Sequence, residues 1–223
     1  INKKMDFKLD EIYSLIHNLQ PQALIGSNHH LAPNPGEDFQ MFEKDLPGKE
    51  TKTFATKADD IGELPLEVCE TINGTWGFNL KDDKHKSKKK IIQYLVKAAG
   101  YNSNLLLNVG PMPNGRIQKE HISVLKDVGD WLKIYGKTIY NTRGGPIKTT
   151  DEIALTESGN TVYIHLLKNK KTYHIENFKP KINSFKYFNS GNNVNYELLS
   201  DGLKINLEES EIEEINTILV LEL

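Results

Sequence analysis

The residues equipped for chemistry crowd into one stretch, 27–78. It opens Ser27-Asn28-His29-His30, passes through Gly36-Glu37-Asp38-Phe39-Gln40-Met41-Phe42-Glu43-Lys44-Asp45-Leu46-Pro47-Gly48, and ends on Trp76-Gly77-Phe78. Carboxylates such as Asp38, Glu43 and Glu67 can accept and return protons, and Asn28, His29 and His30 can bind polar groups. Adjacent histidines could hold a metal, but no third ligand at a recognisable spacing accompanies His29-His30. An apolar run at 23–26 feeds the stretch, and a second at 66–71 lies inside it. The intervening residues read as a long loop, and such loops inside compact domains are usually functional. A loop that follows a strand and gathers carboxylates and histidines is where an α/β enzyme keeps its reactive groups.

The elements around this stretch alternate. Leu9, Ile12, Leu15, Ile16 and Leu19 form a helical stripe that Pro21 stops. Ser87 can cap a helix whose buried stripe is Ile91, Ile92, Leu95, Val96 and Ala99, with Gly100 at its end. The run 105–109 is continuously apolar, as in a parallel strand covered on both faces. A further helix runs over about 118–135, with Val124, Leu125, Val128, Trp131, Leu132 and Tyr135 on one face. The first ~140 residues therefore read α-β-loop-β-α-β-α, part of a parallel α/β barrel or sheet. After Arg143-Gly144-Gly145-Pro146 the pattern changes to short runs separated by turns such as Ser158-Gly159-Asn160 and Asp201-Gly202. Evenly spaced short strands predict an antiparallel sandwich, so a domain boundary is placed at Gly144, giving 1–143 and 144–223.

Bulk properties narrow the function. The 223 residues are 38% hydrophobic and 26% charged, enough for a packed core, and the net charge of −2 argues against a polyanion binder. Six lysines between Lys81 and Lys90 read as a solvated surface and not as a nucleic-acid patch, because no aromatic residues interleave them. No apolar run approaches the ~20 residues of a membrane span. The single cysteine, Cys69, sits in an apolar run and reads as a buried small hydrophobe. The chain starts at Ile1 without a signal-peptide pattern, as a piece of a longer polypeptide would.

Three ordered motifs then carry a resemblance. Leu64-Pro65-Leu66-Glu67-Val68-Cys69-Glu70-Thr71 with Asn73-Gly74-Thr75-Trp76-Gly77-Phe78 is one. Asn104-Leu105-Leu106-Leu107-Asn108-Val109-Gly110-Pro111 with Asn114-Gly115 is the second. Val128-Gly129-Asp130-Trp131-Leu132 with Tyr135-Gly136-Lys137-Thr138-Ile139-Tyr140 is the third. Together they resemble the α-L-fucosidases of glycoside hydrolase family 29, and the segment 27–47 resembles the Bacteroidetes-type bacterial members. The resemblance implies the C-terminal part of a (β/α)8-type barrel followed by an antiparallel β-sandwich. It also implies a retaining exo-glycosidase that releases terminal α-L-fucose from glycans or glycoconjugates, with no cofactor or metal.

Retention uses two carboxyl groups about 5 to 5.5 Å apart, one nucleophile and one acid/base. The family's nucleophile is an Asp in a context like Trp-Phe-Asp-Gly, and no such stretch stands here. The resemblance therefore places it upstream of Ile1, in an N-terminal part needed to complete the barrel. By position, Glu43 matches the family's acid/base, and Met41 and Phe42 flank it with apolar surface that favours the protonated acid. Taken without the motif, Glu43 reads as a solvated loop residue. Glu67, a carboxylate inside an apolar strand, is the rival acid/base or a sugar ligand. Trp76 is expected to wall the sugar site, Asn28 and one of His29 and His30 to bind a hydroxyl, and Asp38 to be a weaker substrate ligand. Export to the periplasm or beyond is the family expectation, and neither nucleic acid nor membrane is an expected partner. The alternative is a non-catalytic fragment or glycan-binding module derived from such an enzyme.

Overall fold

The computed structural model describes residues 6–29, 31–47 and 61–223. Its elements in chain order are α1 (Leu9–Leu19), β1 (Gly26–Ser27), β2 (Phe39–Glu43), β3 (Leu66–Thr71), α2 (Lys88–Gly100), β4 (Ser103–Asn108) and α3 (Lys119–Tyr135). Strands alone follow, apart from a 3-10 turn at Gly136–Thr138 and another at Glu209–Glu211. They are β5 (Arg143–Gly144), β6 (Ile153–Ser158), β7 (Thr161–Leu166), β8 (Thr172–Glu176), β9 (Ser184–Tyr187), β10 (Asn195–Leu199), β11 (Gly202–Asn206) and β12 (Thr217–Glu222). The chain is thus mixed α/β and divides into two compact units.

The first unit holds the chain as far as Thr71 together with Ser103–Asn108. Its sheet has the order β1-β2-β3-β4, and every pairing is parallel. Phe42 and Val68 bury one face at 2% and 0% exposure. Cys69 is buried too, as a small hydrophobe would be, and burial raises its thiol pKa. Two sequence expectations need correction. The strand expected at 23–26 is only Gly26–Ser27, because the Ile25 N–H is taken by the Asp38 carboxylate at 2.7 Å. The expected loop also contains a strand, β2, which places Glu43 at a strand end. Buried Gln40 hid it by breaking the apolar pattern. The amide of Gln40 is satisfied there, donating to the Leu31 carbonyl and accepting from the Gly62 N–H, each at 3.1 Å.

The second unit comprises Ile72–Asn102 and Val109–Leu223. Two sheets, β5-β6-β7-β12-β9 and β10-β11-β8, are antiparallel throughout. One apolar cluster draws Leu155, Ile164, Phe185 and Leu219 from the larger sheet and Ile175, Leu203 and Ile205 from the smaller. Helix α2, capped by the Ser87 hydroxyl as its sequence indicates, belongs to the same unit. Its Gln93 amide donates to the carbonyls of Leu167 and Ile215 at 2.9 and 2.6 Å. Gly100 closes α2 where only hydrogen fits: a Cβ would lie 2.4 Å from the Thr149 hydroxyl.

His165 is fully buried on β7, and the Asn216 amide donates to its Nδ1 at 3.0 Å. Burial pushes its pKa down from 6.5 to about 4. An unfolded chain therefore takes up a proton that the folded one refuses between these values. Stability supplied by neutral His165 is present above pH 6.5 and is lost as pH falls toward 4. The loss is about 3 kcal/mol. Urea titrations across this range should show it, and a smaller slope is expected for His165→Leu. A stability that does not change across the range contradicts a neutral buried imidazole.

Candidate active site

In a parallel ladder, residues in register point to the same face, and the face alternates along each strand. Glu43 is in register with Cys69, and Thr71 with Asn108. Glu43, Glu67, Cys69, Thr71 and Asn108 therefore share one face of the sheet. Glu43 stands at the C-terminal end of β2. Glu67 is in register with Met41, two residues earlier and about 7 Å deeper along the strands. Glu70 points to the opposite face and accepts the Thr71 N–H at 2.7 Å. The Asn108 amide donates to the Thr71 hydroxyl at 3.3 Å, tying the ends of β3 and β4.

The chain leaves β2 abruptly. Lys44 takes a left-handed φ of 61° while its N–H reaches the Cys69 carbonyl at 2.8 Å. A non-glycine residue held there costs on the order of 1 kcal/mol or more, and such strain gathers at functional sites. Asn28, the first residue after β1, donates its amide to Glu43 Oε2 at 3.0 Å. The C-terminal ends of β1 and β2 thus meet through Asn28 and Glu43.

Between these strands the chain folds around Glu37, which sequence reasoning missed. Its carboxylate is 1% exposed. Asn34 donates to it through its N–H at 2.8 Å and its amide at 3.0 Å, and the Tyr13 hydroxyl donates at 3.1 Å. His29 Nε2 lies 3.1 Å from one carboxylate oxygen and 3.3 Å from the other. The Leu31 N–H donates to His29 Nδ1 at 3.2 Å, so the ring proton belongs on Nε2, directed at Glu37. Burial alone would raise the Glu37 pKa, but the Asn34 bonds and His29 outweigh it and hold the carboxyl below its ordinary value. The available signal was a Glu three residues after Asn34, across the Pro35-Gly36 turn. Gly36 is required there, with φ +89° and a Cβ position 3.1 Å from that of Tyr13.

The other expected site residues are placed as follows. Asp38 accepts from the Ile25 N–H at 2.7 Å and from His17 Nε2 at 2.9 Å, and these bonds depress its pKa. Asp38 and His29 are thus engaged in folding the loop. His30 lies outside the described residues. Trp76 belongs to the second unit and is half-buried in the turn after Ile72. Asp82 Oδ2 holds that turn by accepting the Gly74 and Thr75 N–H groups, each at 2.8 Å, and the Thr75 hydroxyl at 3.0 Å. Gly77 presses on Gly110, where a Cβ would fall 2.6 Å from the Gly77 carbonyl carbon. Among the described residues, no group of three or more His, Cys, Asp or Glu is arranged to hold a metal ion.

Residues 2–137 match the model of the alpha-L-fucosidase family. The chain belongs to that family. Relatives of this fucosidase-family chain include the human plasma alpha-L-fucosidase, 32% identical over 161 residues that make up 60% of this chain and 34% of that protein. The human tissue alpha-L-fucosidase is 33% identical over 115 residues, 48% of this chain and 24% of the relative. Among solved structures, alpha-L-fucosidase isoenzyme 1 of Paenibacillus thiaminolyticus superposes with a TM-score of 0.78 at 27% identity, over 96% of this chain and 53% of that one. The Thermotoga maritima alpha-fucosidase, solved in complex with fucose, has the same fold at a TM-score of 0.73 and 21% identity. The chain spans about half the length of these solved relatives and matches a smaller share of the curated ones.

The Asp82 carboxylate is a polar anchor of the Trp76 turn. Asp82→Ala should open it locally, because the Gly74 and Thr75 amides lose their acceptor. Hydrogen exchange at the Gly74 and Thr75 amides reads this directly. Wild-type protection in the variant contradicts the anchor.

Proposed function

We propose that this chain is the C-terminal portion of a retaining, exo-acting α-L-fucosidase that releases terminal α-L-fucose from glycans. Residues 1–143 would contribute the last part of a (β/α)8-type barrel, and 144–223 a β-sandwich domain. The nucleophilic Asp and the remaining barrel strands would come from polypeptide that precedes this chain, with Bacteroidetes-type bacterial enzymes as the model.

The observation that carries this reading is the position of Glu43. It lies in the family-matched region, at the C-terminal end of a parallel strand, where barrel enzymes place reactive groups. It shares a face with Glu67 and is held by Asn28. As general acid Glu43 protonates the leaving oxygen while the upstream Asp attacks the anomeric carbon. It then takes a proton from the water that releases fucose. Glu67, deeper on the same face, and Asn28 bind sugar hydroxyls. The apolar stripe of α1 is left uncovered, with Ile12, Leu15 and Leu19 at 45%, 57% and 73% exposure, which supports further barrel elements beside it. A contiguous apolar face of this kind ordinarily marks contact with other protein.

The test uses the enzyme carrying its upstream strands. Glu43→Gln should lower kcat on natural fucosylated glycans by about 10²- to 10⁴-fold, the usual worth of a general acid. Azide should restore turnover of an activated aryl α-L-fucoside as fucosyl azide. Full activity on natural glycans would transfer the acid/base role to Glu67. The non-catalytic alternative predicts that the wild type with those strands releases no fucose at all.

A further inference from the structure

We propose that Glu37 is a positioning residue that sets the acid/base Glu43 through His29 and Asn28. The inference rests on the reading of Glu43 as acid/base and adds to it the device that holds that carboxyl in place.

Four donor groups converge on Glu37: the Asn34 N–H, the Asn34 amide, the Tyr13 hydroxyl and His29 Nε2–H. Only a carboxylate accepts from all of them, because an amide would set its own NH2 among donors. The two side chains are almost inaccessible, His29 at 8% and Glu37 at 1%, so water cannot replace a lost bond cheaply. The imidazole is pinned at both ends, by Glu37 at Nε2 and by the Leu31 N–H at Nδ1. On the other side, Ser27 is fixed in the ladder opposite Gln40. Asn28 is the one residue between these two fixed points, and its amide lies 3.0 Å from Glu43 Oε2. Next along the chain from Glu37, Asp38 closes the frame on Ile25 and His17. These bonds hold the described part of the loop in place to orient a catalytic group, which loses rate steeply with small displacement.

The variants are Glu37→Gln and the milder Tyr13→Phe, made in the enzyme with its upstream strands. Each is assayed on an unactivated fucosyl disaccharide and on an activated aryl fucoside, whose leaving group needs little protonation. Glu37→Gln should lower kcat on the disaccharide by about 10-fold, part of the general-acid contribution. On the aryl substrate kcat should stay within about twofold, with KM unchanged on both. Tyr13→Phe should show the same selectivity in weaker form, and it decides the matter if Glu37→Gln does not fold. Equal losses on both substrates, or none, overturn the positioning role and leave Glu37 a purely structural residue. Glu43→Gln is the control. If it shows no leaving-group selectivity, the acid/base assignment fails. If it is selective and the other variants are not, only the role of Glu37 fails.

Discussion

Parallel pairing of β1, β2, β3 and β4 is the constraint on which the candidate site depends. Register alone puts Glu43 beside Cys69 and Thr71 beside Asn108, so β3 and β4 end level and β2 ends two residues before them on the same face. Polar contacts mark where these strands end. Lys44 turns away in a left-handed conformation, Asn108 ties β4 to β3, and Asn28 ties β1 to β2. The face that bears the carboxylates is set by the pleat: one residue of slip would point Glu43 where Phe42 is buried.

Two adjacent carboxylates do different structural work in the loop between β1 and β2. Glu37 is buried and gathers donors from α1 and from the loop itself, while Asp38 reaches Ile25 and His17 nearer the surface. Both are held below their ordinary pKa by the donors around them. Their bonds are therefore complete at neutral pH and weaken only as acid protonates the folded carboxyls. In the second unit the logic is apolar. Side chains of both antiparallel sheets close over one another, and α2 is pinned to that unit by Gln93.

Much of this was legible in the sequence. The periodic stripes of α1, α2 and α3, the Ser87 cap and the Gly100 stop follow from local physics that tertiary contacts leave intact. The short antiparallel strands were legible because turns such as Asp201-Gly202 punctuate them. β2 was hidden because buried Gln40 contradicts the expected pattern, and its reason for burial, bonds to Leu31 and Gly62, is long-range. Glu37 was hidden for the same reason. A glutamate between a glycine and an aspartate reads as solvated until Tyr13, from a distant helix, is seen to bond to it. Glu43 was singled out by motif position, since its residue type alone reads as a solvated loop acid. His121, wholly buried on α3, was likewise invisible in the helical stripe.

The central claim is a divided site, with the acid/base on this chain and the nucleophile on polypeptide that precedes it. The most direct measurement is to trap the glycosyl-enzyme with an activated 2-deoxy-2-fluoro-α-L-fucoside, using the enzyme with its upstream strands, and to map the labelled peptide by mass spectrometry. The account predicts a single 2-deoxy-2-fluorofucosyl label on an Asp outside the 223 residues of this chain. A label on Asp38, Glu43, Glu67 or any other residue of this chain would contradict it.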